Sequence, residues 1–238
     1  MGLEYGGVGL GVDKAKTGFK PLDEKLDGGL DRGMNVIVLG SPLSGKKIFS
    51  KEFLYTGLLE GEACILTCTG NMAEEEHKRF EQLGMNVSEF EEKGLLRYID
   101  FYSRTTGLQY EEKPYIKRIS SIMDLTGYNV AIRDLIAEFW RQEIPMRMVF
   151  DSVSTLLLYN KFNTVARFLH ALLGRLKSVG VISLYLVEEG AHEKDEITTL
   201  IAMMDGLIEM KVEDDKRFLR FKSEQKRIDW IPYEWKGG

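Results

Sequence analysis

Residues 34–47, MNVIVLGSPLSGKK, pass from an apolar strand through a glycine-bounded turn into the start of a helix. That order belongs to an α/β unit whose strand lies inside a helix-covered parallel sheet. The turn fits the phosphate-binding pattern G-x-x-x-x-G-K-[ST] at Gly40, Gly45 and Lys46. It departs at Lys47, which stands where a metal-binding hydroxyl is expected. The candidate cradle is Gly40, Ser41, Pro42, Leu43, Ser44, Gly45, Lys46 and Lys47. Backbone N–H groups in such a loop point at phosphate oxygens, the helix adds its positive end, and Lys46 adds a point charge.

Downstream, strands and helices alternate. ACILTCT (63–69) and GLLRYIDFY (94–102) read as strands, with a helix at 73–84 that carries acids in its first turn and Gly84 at its end. Residues 103–127 are polar and mixed, and are expected to form a long ordered loop or insertion. Ile132, Leu135, Ile136, Phe139 and Trp140 keep helical spacing, as do Val165, Phe168, Leu169, Leu172, Leu173 and Leu176. Between these helices RMVFD (147–151) is a short apolar strand ending in Asp151, and VGVISLYLV (179–187) is apolar on both faces. GLIEMKV, RFLRFK and RIDWIPYEW predict short C-terminal strands with a hairpin at 213–215. The expected fold is α/β, with a central, mostly parallel sheet flanked by helices and antiparallel strands at its C-terminal side. The glycine-rich residues 1–16 are expected to be a flexible or edge-docking segment, and 17–238 a single domain.

Composition narrows the function classes. The net charge of -5 argues against broad attraction to nucleic acid, which comes from Lys and Arg neutralising phosphates. No apolar run approaches the ~20 residues of a membrane span, and no signal-peptide layout is present, so the expected location is the cytoplasm. Cys64 and Cys68 lie on one strand with Cα atoms roughly 13 Å apart, too far for a disulfide, and read as small core residues. His77 reads as solvated, His170 as a boundary residue, and His192 as part of an acidic loop, EEGAHEKDE.

The segment TGFKPLDEKLDGGLDRGMNVIVLG (17–40) resembles the entry to the KaiC-like branch of the RecA/RadA superfamily. The likeness continues through Phe53-Leu54-Tyr55 and Met148-Val149-Phe150-Asp151-Ser152, and ends in Trp230-Ile231-Pro232-Tyr233-Glu234. It implies a RecA-like P-loop fold, nucleotide binding (ATP or ADP), and ring-like assemblies with nucleotide at subunit interfaces. Asp151 has the placement of a Walker B carboxylate that holds Mg²⁺ through water. Its other reading is a strand-end turn acid.

Several positions depart from the pattern of active members. Lys47 replaces Ser or Thr, and Gly70 and Asn71 stand where a catalytic glutamate pair is expected. Lys222-Ser223-Glu224 keeps the Lys of a Lys-x-Arg element that reaches a neighbour's phosphate, and reverses the charge of its Arg. Leu186 and Val187 replace polar residues before Glu188. An ammonium about 4 Å from Mg²⁺ at an effective dielectric of about 20 is repelled by at most roughly 8 kcal/mol. A lost general base removes ~10²–10⁴-fold in rate and a lost trans arginine ~10³–10⁵-fold. Glu74, Glu75 and Glu76 read as dipole-favoured first-turn acids, and Glu188 or Glu189 is the remaining acid to face the site. No residue is assigned a catalytic role and no metal ligand is assigned.

Three readings stand. The first is a KaiC-like nucleotide-binding regulatory or assembly protein with eroded ATPase machinery, a pseudo-ATPase in a signalling role, acting as a homo-oligomer or with a protein partner. The second is an active ATPase using a non-standard base or activated by a partner. The third is a nucleotide-free interaction scaffold.

Overall fold

The computed structural model describes residues 14–107 and 109–235. In chain order, β1 (Lys14–Ala15), α1 (Lys20–Lys25) and β2 (Leu30–Asp31) lead to β3 (Asn35–Gly40) and α2 (Lys46–Leu59). Then come β4 (Ala63–Cys68), α3 (Ala73–Gln82), α4 (Ser88–Glu92), β5 (Leu96–Asp100), α5 (Tyr102–Thr106) and β6 (Ile116–Arg118). The second half holds α6 (Leu125–Arg141), β7 (Met146–Asp151), α7 (Val153–Tyr159), α8 (Phe162–Ser178), β8 (Ile182–Glu188) and α9 (Lys194–Ala202). It closes with β9 (Gly206–Glu213), β10 (Lys216–Ser223) and β11 (Arg227–Pro232).

The large sheet has nine strands in the order β11-β10-β9-β3-β8-β7-β4-β5-β6. Every neighbour from β9 to β6 is parallel, and β10 and β11 add an antiparallel flank. The expected α/β architecture is the one observed. The strands are buried on both faces, as their continuous apolar runs require. One face packs Val36, Val38, Leu184 and Leu186 beneath α1, α2 and α3. The other packs Ile37, Tyr185 and Val187 beneath α6, α7 and α8.

The hairpin falls at the expected place. Asp214 and Asp215 both take positive φ (49° and 59°), the two-residue geometry whose twist matches antiparallel strands.

Residues 103–127 differ from the expected loop. They hold most of α5, all of β6 and the first turn of α6, and β6 pairs with β5 at the sheet's edge. Arg118 explains the order. Its buried guanidinium donates to Asp100 Oδ2 (2.9 Å), Ser103 Oγ (2.7 Å) and Glu74 Oε1 (2.5 Å), and stacks 4.1 Å over the Tyr110 ring. A polar sequence gives no apolar period to read, yet its charges fold it down. Helices α4 and α7 also escaped the sequence reading, because five and seven residues complete too few turns to show a period. The acidic stretch around His192 is not all loop, since Glu193 is the N-cap of α9.

Of the N-terminal segment, residues 1–13 lie outside the described residues. Lys14 and Ala15 pair with Asp31 and Leu30. Lys16 O accepts a hydrogen bond from Arg147 Nη1. Arg147 is fully buried on β7 and uses all its donors: Nε and Nη2 reach Glu62 (2.7 Å each), Nη2 also reaches Glu60 (3.1 Å), and Nη1 reaches Phe53 O (3.1 Å). Gly57 makes room, because a Cβ there would lie 2.4 Å from Arg147 Nε.

Candidate functional site

The C-terminal ends of β3, β8, β7 and β4 converge, the edge at which parallel α/β sheets present ligand sites. Register fixes who meets whom: Gly40 lies opposite Glu188, and Cys68 opposite Asp151. The turn after β3 closes on Gly45, which caps α2 at φ +95°, a conformation glycine adopts without a Cβ clash. A Cβ there would also meet Arg217 Cδ at 2.9 Å and Tyr233 Cε1 at 3.2 Å. No side chain caps α2, so its first N–H groups face the loop. Leu43 forms the loop's tip at φ +65° and 87% exposed, and its carbonyl accepts from Arg217 Nε at 3.3 Å. Ser44 Oγ is buried without a hydrogen-bond partner among the described residues.

Lys46 is buried, and its ammonium makes three bonds: to Glu188 Oε2 (2.7 Å), Ser41 O (2.9 Å) and Gly40 O (3.1 Å). Glu188 is held in turn. Its N–H donates to Ser154 Oγ at 2.8 Å, and that hydroxyl also meets His192 Nε2 at 2.8 Å. Of the two acids considered from the sequence, Glu188 is therefore the one engaged with the loop.

Lys47 Nζ lies 3.5 Å from Asp151 Oδ1, with the lysine half-exposed and the carboxylate buried. Asp151 Oδ2 has no hydrogen-bond partner among the described residues. Burial pushes the Asp151 carboxyl above the usual range, and the ammonium groups of Lys47 and Lys51 offset part of that rise. The backbone after Asp151 is pinned from β4, where Thr69 Oγ1 accepts from Ser152 N–H at 2.7 Å.

The first-turn acids of α3 are all engaged. Glu74 accepts from Arg118, and Glu75 accepts from Met72 N–H at 3.1 Å. Glu76 is buried and accepts from Lys51 (2.5 Å) and Arg79 (2.6 Å). Burial opposes ionisation of Glu76, but these cations outweigh it and hold the carboxyl below its ordinary value. Beside Lys47 opens a cleft of about 280 Å³, lined by Lys47, Ile48, Lys51, Arg79, Gln82 and Leu83. Asn71 faces Arg79 Nη2 at 3.0 Å, and Gly70 offers no side chain, so no carboxylate stands at the end of β4.

Lys222 is not brought to this loop. It lies on β10 and pairs with Glu209 Oε2 at 2.8 Å, while Glu224 is exposed. His77 is not simply solvated: its Nδ1 meets Glu91 Oε1 at 2.9 Å, and Tyr98 OH donates to the same oxygen at 2.7 Å. Sequence reasoning did not single out Ser154, Arg217 or Tyr233 as neighbours of the site. Tyr233 is buried edge-on against Phe19 and Phe49, and its hydroxyl donates to Glu52 at 3.1 Å. Only tertiary folding brings β10 and the end of β11 against the loop, so spacing carried no signal for them.

The residues do not fit a magnesium site. Mg²⁺ needs oxygen ligands at ~2.0–2.1 Å in an octahedron, and Lys47 places an ammonium beside Asp151, the carboxylate expected to anchor it. They do fit a phosphate: a glycine-capped helix start, an adjacent ammonium and an open cleft. Among the described residues no helix is long and apolar enough to cross a membrane.

Residues 15–228 match the family model for the KaiC ATPase. The chain is 30% identical over 187 residues to a UPF0273 protein of Methanopyrus kandleri, covering 78% of this chain and 71% of that one. It is likewise 30% identical over 185 residues to a UPF0273 protein of Thermotoga maritima, covering 77% and 73%. The crystal structure of a KaiC-like protein from Pyrococcus horikoshii superposes with a TM-score of 0.74 at 19% identity, over 94% of this chain and 95% of that one.

Proposed function

Because the chain belongs to the KaiC family of ATPases, we propose that it is a nucleotide-binding module that grips ATP or ADP without a metal ion and hydrolyses it negligibly. Its role is regulatory or assembly-directing, with nucleotide occupancy or oligomeric state read by a protein partner. The observation that carries this reading is the Lys47–Asp151 pair. In this reading the ammonium takes the place of the magnesium ion. It neutralises phosphate charge directly and leaves Asp151 no cation to present.

The rest of the site supports the same reading. The N–H groups at the start of α2 and Lys46 bind phosphate, and the cleft over Ile48 and Leu83 takes the nucleoside, with Gln82 at its rim. Hydrolysis needs an oriented water, and among the described residues the carboxylates beside the loop, Asp151, Glu188 and Glu76, are each paired with a lysine. Glu76 is buried in its own ion pairs and Glu188 is committed to Lys46.

Calorimetric titration with ATP and ADP, in Mg²⁺ and in EDTA, tests the proposal. Similar affinities in both buffers with negligible phosphate release are expected, and loss of binding in Lys46→Ala. Flat titrations would select the interaction-scaffold reading. Brisk metal-dependent turnover that Asp151→Asn abolishes would select the active ATPase.

A further inference from the structure

We infer that Glu188 makes the phosphate loop selective for nucleoside diphosphates over triphosphates. This rests on the nucleotide-binding reading above and names the ligand class of that site. A lysine in this position of such a loop reaches for the outer phosphates of a nucleotide. Here its three donors are already engaged by Glu188 Oε2, Gly40 O and Ser41 O, so a phosphate must compete with these partners for the ammonium. The carboxylate is the closest of these partners, at 2.7 Å, and occupies the role that an outermost phosphate would play.

Glu188 is built into that place. It is the last residue of β8 and lies opposite Gly40, the last residue of β3. Its N–H is fixed by Ser154 Oγ, and the next N–H, of Glu189, donates to Gly40 O at 3.0 Å. The lip of the loop and the end of β8 are therefore one rigid unit, with the carboxylate pointing at the lysine.

Charge then sorts the ligands. At the loop, Lys46 and Lys47 are matched by Glu188 and Asp151. Lys51 and Arg79, the other cations lining the neighbouring cleft, are committed to Glu76. A diphosphate places its terminal group in the N–H cradle at the start of α2. A triphosphate adds a phosphoryl group beyond it, towards two carboxylates, with no metal to offset the added charge. Like charges held within a few ångströms in a poorly solvated cleft repel strongly enough to dominate the choice.

The test is titration in EDTA of the whole chain and of Glu188→Gln, which keeps the side chain's shape and removes its charge. The wild-type chain is expected to bind ADP about tenfold or more tighter than ATP, and pyrophosphate tighter than tripolyphosphate by a similar factor. In Glu188→Gln the ATP affinity rises and the gap closes. The inorganic pair isolates the loop from the nucleoside cleft, and the wild-type ratios need no folded variant. Equal or tighter ATP binding by the wild-type chain overturns the inference, as does an unchanged gap in Glu188→Gln, and both outcomes leave nucleotide binding intact. Failure of the wild-type chain to bind any of the four ligands removes the nucleotide-binding reading and this inference with it.

Discussion

In the proposed reading, Lys47 carries a chemical consequence out of proportion to its size. Replacing it by Thr restores a metal-binding hydroxyl and removes an ammonium whose repulsion of Mg²⁺ reaches roughly 8 kcal/mol at most. ATP binding by Lys47→Thr is expected to become at least about tenfold tighter in Mg²⁺ than in EDTA, read by calorimetry. Unchanged metal independence would mean that another group excludes the ion. Glu52 offers a second residue-level test. Burial beneath Tyr233 pushes its carboxyl up from 4.5 to about 7, although the Tyr233 hydroxyl bond works the other way. The folded chain thus holds a proton that the unfolded chain has released between those values. Stability from this group is greatest below about pH 4.5 and falls as pH rises to about 7. Thermal melts across that window should decline less steeply in Glu52→Gln than in the parent chain. Most of the candidate site is legible in the sequence because the loop residues are contiguous, so Gly40 to Lys47 read as one unit. Asp151 was legible because an apolar strand ended on it. The engagement of Glu188 with Lys46 needed the β3–β8 register, which no local pattern encodes.

At the scale of elements, buried charges decide how the helices and edge strands sit. Arg147 ties β7 to α2, to Glu60 and Glu62, and to Lys16 just after β1 through five donors in an apolar layer. Arg147→Ala leaves Glu62 with Arg32 as its one cation among the described residues and opens a cavity, so a loss of about 3–5 kcal/mol is expected in urea unfolding. Gly57→Ala forces a methyl against the same guanidinium and should cost about 1–3 kcal/mol. A loss within experimental error in both would show that the network adds nothing to stability. Arg118 plays the equivalent part for the edge. In Arg118→Leu, amide exchange of residues 109–124 should quicken while that of β3 and β8 stays slow. These are also the places where the sequence was least informative. Amphipathic α6 and α8 announce themselves by apolar spacing, whereas α5 and β6 are held by a polar cluster that assembles only when β6 pairs with β5 and α3 packs alongside.

For the molecule as a whole, ligand binding and stability are linked. A nucleotide that binds only the folded chain, supplied at a hundred times its dissociation constant, stabilises it by about 2.7 kcal/mol. For a chain of this size that corresponds to a rise in melting temperature of about 5–10 °C. The rise should appear with ADP in EDTA and vanish in Lys46→Ala. The order of assembly follows from the sheet. The strand that carries the loop is flanked by β8 and β9, whose residues come nearly 150 or more positions later in the chain. During synthesis Gly40 has no neighbour on either side until residues 182–213 have emerged, and contacts of such long sequence separation form late. The loop proposed to cradle phosphate is thus among the final parts of the protein to take shape, so on that reading a nucleotide meets a finished fold and can lock it but has no hand in guiding the nascent chain towards it.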